Sequence, residues 1–187
     1  MMVRSFICVE ITDQEITSVL NNYINELKMV KGVRTVKSSQ LHLTLKFLGE
    51  ISEKQLVSVQ DSIKEIKFPS FEIALEKFGV FPNINRIRVI WVGISDGNEK
   101  LKELAHLIEE SLQPLGFFKE KRPFSPHLTL ARVKYLKSDE KKTLVHIIKN
   151  AERIGTQYID EVILKKSALT PNGAIYDNLL VVPLSNL

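Results

Sequence analysis

The tetrapeptide His-Leu-Thr-Leu occurs twice in this chain, at 42–45 and at 127–130, 85 residues apart. Both copies sit in the same surroundings. A strand-like run, a helix-like run and a loop precede each one, and a capped helical segment follows. Pro82-Asn83 and Pro171-Asn172 form a second matched pair, each just ahead of an apolar strand-like run. A duplicated unit packed about a pseudo-twofold axis brings equivalent residues of the two copies together near that axis. With 187 residues the chain makes one domain, or two very small ones. The repeat points to a single bilobal domain over 1–187, built from halves of roughly 1–85 and 86–187, neither of which is expected to fold or work without the other.

Strands and helices alternate along both halves. Residues 3–11 are β-branched and aromatic, as in a buried strand. Thr12 and Glu15 read as a capping box for a helix whose Ile16, Val19, Leu20, Tyr23, Ile24 and Leu27 form one apolar stripe; Lys31-Gly32 ends it. A strand follows over about 40–48, closed by Gly49. Ser52 and Gln55 make a second capping box, with Leu56, Val59, Ile63 and Ile66 on one helical face. Phe68-Pro69 stops that helix before a strand near 71–75. The second half repeats the plan: a strand at 86–94, a helix near 99–112, a Gly/Pro loop, a strand at 126–133 and a helix near 139–153. The last strands are expected at 159–165 and 174–183. The fold class expected is α+β, two pseudo-symmetric lobes, each an antiparallel sheet backed by helices, around a central cleft.

Composition removes several alternatives. Hydrophobic residues at 44% and charged residues at 26% exclude a disordered chain. The single cysteine, Cys8, excludes a disulfide scaffold and reads as a small buried hydrophobe. No apolar run nears the roughly 18 residues of a membrane helix, and the N-terminus lacks the features of a secretory signal. A reducing, cytoplasmic location is the expectation. The net charge of +4 permits an anionic partner without demanding one. HExxH, paired CxxC, GxGxxG and GxxxxGK[ST] are all missing from the sequence, so neither a metal nor a nucleotide cofactor is expected.

The duplicated strands carry the chemistry. Alternate side chains of a strand point to opposite faces. Leu41, Leu43 and Leu45 therefore share the helix side, while His42, Thr44 and Lys46 face the other way. In the second copy Leu128 and Leu130 go to the core, and His127, Thr129 and Ala131 share the opposite face. Two imidazoles suit acid–base work near neutral pH, one taking a proton from an attacking oxygen and the other giving one to a leaving oxygen. Threonine hydroxyls can donate to oxygens whose negative charge grows in the transition state. Displacement at a cyclic phosphodiester needs these parts and no metal.

Other residues leave two readings open. Lys46 shares the parity of His42, and either meets phosphate or is a solvated strand-end lysine. Arg132 has the opposite parity in a regular strand and reaches the cleft only from a bulged end. Lys119, Lys121 and Arg122, interleaved with Phe117, Phe118 and Phe124, either guide an RNA backbone and stack a base or form a solvated loop with anchoring aromatics. His106 and His146 read as helix-surface histidines.

The segments HLTLKFLGE (42–50) and RPFSPHLTLARVK (122–134) resemble the paired motifs of the two-histidine phosphoesterase superfamily. Within it they look most like the RNA 2′,3′-cyclic phosphodiesterases, also called 2′-5′ RNA ligases. The likeness runs from VRSFICVEI to LKKSALTPNGAIY, nearly the whole chain. It implies a bilobal α+β fold and metal-independent hydrolysis of RNA 2′,3′-cyclic phosphate to a 2′-phosphate. By the same likeness His42 is the proton donor to the departing 3′-oxygen and His127 the base that activates water, roles that the near symmetry of the two motifs does not distinguish. Thr44 and Thr129 hold the phosphate oxygens. The expected partner is RNA with a cyclic-phosphate end, tRNA fragments included, met by a monomer away from any membrane. Joining of RNA ends through a 2′-5′ linkage, a noncatalytic RNA-binding module, and small cyclic nucleotides as substrates remain open.

Overall fold

A computed structural model of the protein describes residues 2–120, 122–171 and 173–185, so Lys121 and Asn172 lie outside the described residues. The first half contains β1 (Met2–Glu10), α1 (Gln14–Met29), β2 (Val33–Thr35), β3 (His42–Ser52), α2 (Glu53–Lys64) and β4 (Phe71–Asn83). The second contains β5 (Arg86–Ile94), α3 (Asn98–Leu112), β6 (His127–Val133), α4 (Ser138–Lys149), β7 (Gly155–Ile159), β8 (Glu161–Thr170) and β9 (Gly173–Pro183). Among the described residues these strands form two sheets, ordered β3-β1-β8-β9 and β2-β6-β5-β4-β7. Every neighbouring pair is antiparallel.

The two halves of the chain exchange elements. The first sheet takes β8 and β9 from the second half, and the second sheet takes β2 and β4 from the first. The helices cross as well. α1 follows β1 yet packs on β2, β6 and β7 beside α4, while α3 follows β5 yet packs on β3 beside α2. The expected stripes lie against the sheets: Ile16, Leu20, Ile24 and Leu27 of α1 are buried, as are Leu101, Leu104 and Ile108 of α3. Each buried Leu or Ile contributes about 1.5–3 kcal/mol, so docking on a sheet outweighs a cap worth about 1 kcal/mol.

Local signals were realised unevenly. Ser52 and Gln55 form the expected capping box. Thr12 is not the cap of α1; Asp13 is, its side chain accepting from the Ile16 N–H at 2.9 Å. The side chain of Gln157 on β7 explains the difference. Its Oε1 accepts from the N–H groups of Thr12 and Asp13, and its Nε2 donates to the Glu10 carbonyl at 2.7 Å, tying the chain at Thr12 to β7. Gly49 does not close β3. It adopts φ 73° where Ser5 pairs with Gly49 and Phe6 with Phe47, the glycine of a bulge through which the strand continues to Ser52. β4 runs past residue 75 to Asn83, and α4 stops at Lys149 rather than near 153.

Candidate active site

Bulges at equivalent places in β3 and β6 decide which side chains share a face. Cys8 pairs with Thr44 and the next register pair is Ile7 with Lys46, so Leu45 is passed over. In the other sheet Trp91 pairs with Thr129 and Ile90 with Ala131, passing over Leu130. One extra residue reverses the facing of everything beyond it. Lys46 therefore does not share the face of His42. It turns toward the helices, is 4% exposed, and its Nζ donates to Glu109 Oε1 at 2.5 Å and to the Phe118 carbonyl at 2.8 Å. Arg132 is carried the opposite way, onto the face of His127 and Thr129, and is exposed.

β3 and β6 lie against each other, which brings the two motifs together. The Nδ1–H of His42 donates to the Gln40 carbonyl at 2.7 Å, and that of His127 to the Ser125 carbonyl at 2.7 Å. A carbonyl oxygen only accepts, so Nδ1 carries hydrogen in both rings and Nε2 is the nitrogen left with its lone pair. Aromatic rings hold each imidazole. Phe6 and Tyr176 stand 5.0 and 5.3 Å from His42, and Phe81 and Trp91 stand 5.1 and 6.1 Å from His127, centroid to centroid. Trp91 lies over Gly79, where a Cβ would come within 2.1 Å of the indole. Among the described residues the hydroxyls of Thr44 and Thr129 have no hydrogen-bond partner. These aromatic supports escaped the sequence reading because Phe6, Phe81, Trp91 and Tyr176 are far apart in sequence and meet the histidines only through strand pairing. The pairing of each histidine with the carbonyl two residues back left a repeated signal, the same offset in both motifs.

Arg122 and Phe124 line a cavity of about 360 Å³ with Leu45 and with Lys102 and His106 of α3. Leu45 belongs to the helix side of its sheet, so this cavity is separated from His42 by the sheet itself. Lys121 lies outside the described residues. His106 and His146 are surface residues, His106 pairing with Glu110 at 3.3 Å and His146 meeting Asn150. Cys8 is fully buried between Phe6 and Ile163, and burial pushes its thiol up to about 12.

The model of the LigT-like phosphoesterase family matches this chain twice, over residues 9–91 and 92–176. The chain belongs to that family. The two matches meet near the midpoint, so each carries one histidine motif of this LigT-like phosphoesterase. An RNA 2′,3′-cyclic phosphodiesterase of Archaeoglobus fulgidus is 38% identical over 95% of this chain and 98% of its own length. One from Methanocaldococcus jannaschii is 40% identical over 93% and 96%. The fold is similar to that of Escherichia coli LigT solved with 3′-AMP, with a TM-score of 0.82, 24% identity and 99% of both chains covered.

The two histidines of this LigT-like phosphoesterase differ in electrostatic setting. Burial lowers the pKa of His42 below the ordinary imidazole value; the Gln40 carbonyl opposes that shift, the charge of Lys165 adds to it and Glu10 opposes it. Lys165 and Glu10 are themselves paired at 2.6 Å. Since the folded state favours the neutral ring, stability linked to His42 is complete above the unfolded value near 6.5 and declines as pH falls through the lower folded value. Proton NMR should place the His42 midpoint below 6.5, and phosphate anion should move it upward. A midpoint above 6.5 in the free protein would contradict this.

Proposed function

We propose that the protein hydrolyses RNA 2′,3′-cyclic phosphate ends to 2′-phosphates by general acid–base catalysis without a metal. The observation that carries this reading is the pair of imidazoles on touching strands. Each is locked with Nε2 free, and each stands two residues from an unpartnered threonine hydroxyl. The names of the relatives point to the same substrate. Nε2 of His127 takes a proton from water as the water oxygen bonds to phosphorus. The P–O3′ bond breaks, and O3′ receives the proton held on Nε2 of His42. The hydroxyls of Thr44 and Thr129 donate to the non-bridging oxygens, where charge concentrates in the transition state, and Arg132 adds positive charge on the same face. Burial disfavours the protonated His42 that this step requires, but a bound phosphate anion restores it. The donor and base assignments follow the family likeness. The reading extends to a monomer acting on RNA ends, tRNA fragments included, in the cytoplasm. A single buried cysteine suits such a reducing compartment. Among the described residues no helix is long and apolar enough to cross a membrane.

The test is to incubate the protein with a 2′,3′-cyclic-phosphate oligonucleotide, with and without EDTA, and assign the product by phosphorus NMR. The expected product is the 2′-phosphate at equal rates in both arms. Activity lost to EDTA and restored by a divalent cation would overturn metal independence. Joining to a 5′-hydroxyl oligonucleotide in preference to hydrolysis would turn the reading toward ligation.

A further inference from the structure

Two lysines are buried among the described residues, Lys46 and Lys165. Lys46 lies on the helix side of its sheet, bound to Glu109. Lys165 lies on the other side, the face that carries His42. It pairs in register with Asn178 of β9 and with Phe6 of β1, whose ring stands 5.0 Å from that of His42. Its Nζ donates to Asn178 Oδ1 at 2.5 Å and lies 2.6 Å from Glu10 Oε1. Glu10 in turn stands directly opposite His42 where β1 pairs with β3. Opposed residues of an antiparallel pair project to one face, with Cβ atoms about 4.5–5.5 Å apart. A carboxylate so placed is within reach of an imidazolium, yet this one pairs with the lysine. Apolar side chains of similar volume would serve a core as well as a buried ion pair, so stability does not account for Lys165. Its place beside His42 does.

We propose that Lys165 is a positioning residue for the acid–base pair: it holds the Glu10 carboxylate away from His42, so that the imidazole gives its proton readily to the leaving oxygen. The proposal rests on the function given above, in which His42 is the donor. An unmatched carboxylate across the strand would draw the ring into an ion pair and retain its proton. With Lys165 in place that anion is matched, and the phosphate of the substrate is left to protonate the ring. The other titratable groups about His42 are Cys8 of β1, whose thiol burial keeps protonated, Tyr176 of β9, and His127 of the touching strand β6. Asp160 and Glu161 lie beyond Glu10. Burial first, then the charges of Asp160 and Glu10, raise the Glu161 carboxyl, and Lys165 opposes that rise.

The test is a proton NMR titration of the His42 ring, assigned by its loss in His42→Ala, in the wild type, Lys165→Met, Glu10→Gln and the double variant. Lys165→Met unmatches the Glu10 carboxylate and should raise the His42 midpoint by about one pH unit, the low end for an opposite charge nearby. Adding Glu10→Gln should bring it back toward the wild-type value. Glu10→Gln alone keeps an acceptor for Lys165 and removes the anion, so it should lower the midpoint; it also reads the coupling should Lys165→Met fail to fold. The limb of the kcat/KM profile that His42→Ala erases should move with the midpoint. A Lys165→Met midpoint at or below the wild-type value, or a double variant as high as Lys165→Met, would overturn the assignment. A Glu10→Gln midpoint at or above wild type would do the same. A merely structural role for Lys165 lowers the melting temperature without shifts of opposite sign. If the wild type hydrolyses no cyclic phosphate the proposed function fails, while the titration still decides Lys165.

Discussion

His127→Ala should lower turnover of a 2′,3′-cyclic-phosphate oligonucleotide by about 10²–10⁴, the range for one acid or base, and His42→Ala should do the same. The fold should survive both changes. Neither imidazole is part of the main apolar core, and each substitution removes a single hydrogen bond, to the carbonyl of Gln40 or of Ser125. Circular dichroism and thermal melts therefore accompany the kinetics. An inactive variant with an unchanged melt locates the defect in chemistry. The double variant should be little worse than either single one, because acid and base act as a unit. Full activity in either single variant would falsify the mechanism. Equal losses in the two variants do not identify the donor; the two limbs of the pH–rate profile do, each variant erasing one limb.

The second large effect concerns stability. Glu109→Ala strips Lys46 of its nearer carboxylate and leaves its ammonium, 3% exposed, with only the exposed Glu120 carboxylate 4.0 Å away; Glu109 itself is 18% exposed. Breaking a buried pair from one side costs about 3 kcal/mol or more, and for a chain of this size the melting temperature should drop by about 6–12 °C. Replacing both partners, Lys46→Met with Glu109→Leu, should recover most of that loss, because two apolar side chains need no counter-charge. Burial would raise the Glu109 carboxyl, but the hydrogen bonds from Lys46 and from the Glu120 N–H, with the charges of Lys46 and Lys119, outweigh it and hold the group low. This contribution is present above the unfolded carboxylate value and is lost as pH falls through the lower folded one. A Glu109→Ala melt within about 2 °C of wild type would show that Lys46 finds water or another acceptor.

Both motif strands were legible because their histidines and threonines precede the bulges. Up to Thr44 and Thr129 simple alternation holds, so the imidazoles, the hydroxyls and the buried leucines fell where parity puts them. One residue later it fails in both copies. A bulge of this kind follows from how a strand sits against its neighbour, and no glycine or proline marks it at Leu45-Lys46 or Leu130-Ala131. That is why Lys46 was expected in the cleft and is found in the core, and why Arg132 needed a bulge to arrive where it is. The Thr12 cap failed for a similar reason. Its competitor, Gln157, is 145 residues away in sequence. Ser52 and Gln55 are three residues apart and depend on nothing distant, and that box formed as expected.

The exchange of strands between halves also sets when the protein can assemble. β1 pairs with β8 through Ser5 and Lys166, so one edge of β1 stays open until the chain has been made almost to its end. At about 5–20 residues per second, the ribosome leaves that edge waiting for roughly 8–30 s. During this interval His42 has neither Tyr176 beside it nor Lys165 near it. A nascent chain with β1 and β3 already paired thus presents an apolar edge to its surroundings, and the full setting of His42 comes into existence only after synthesis is nearly complete.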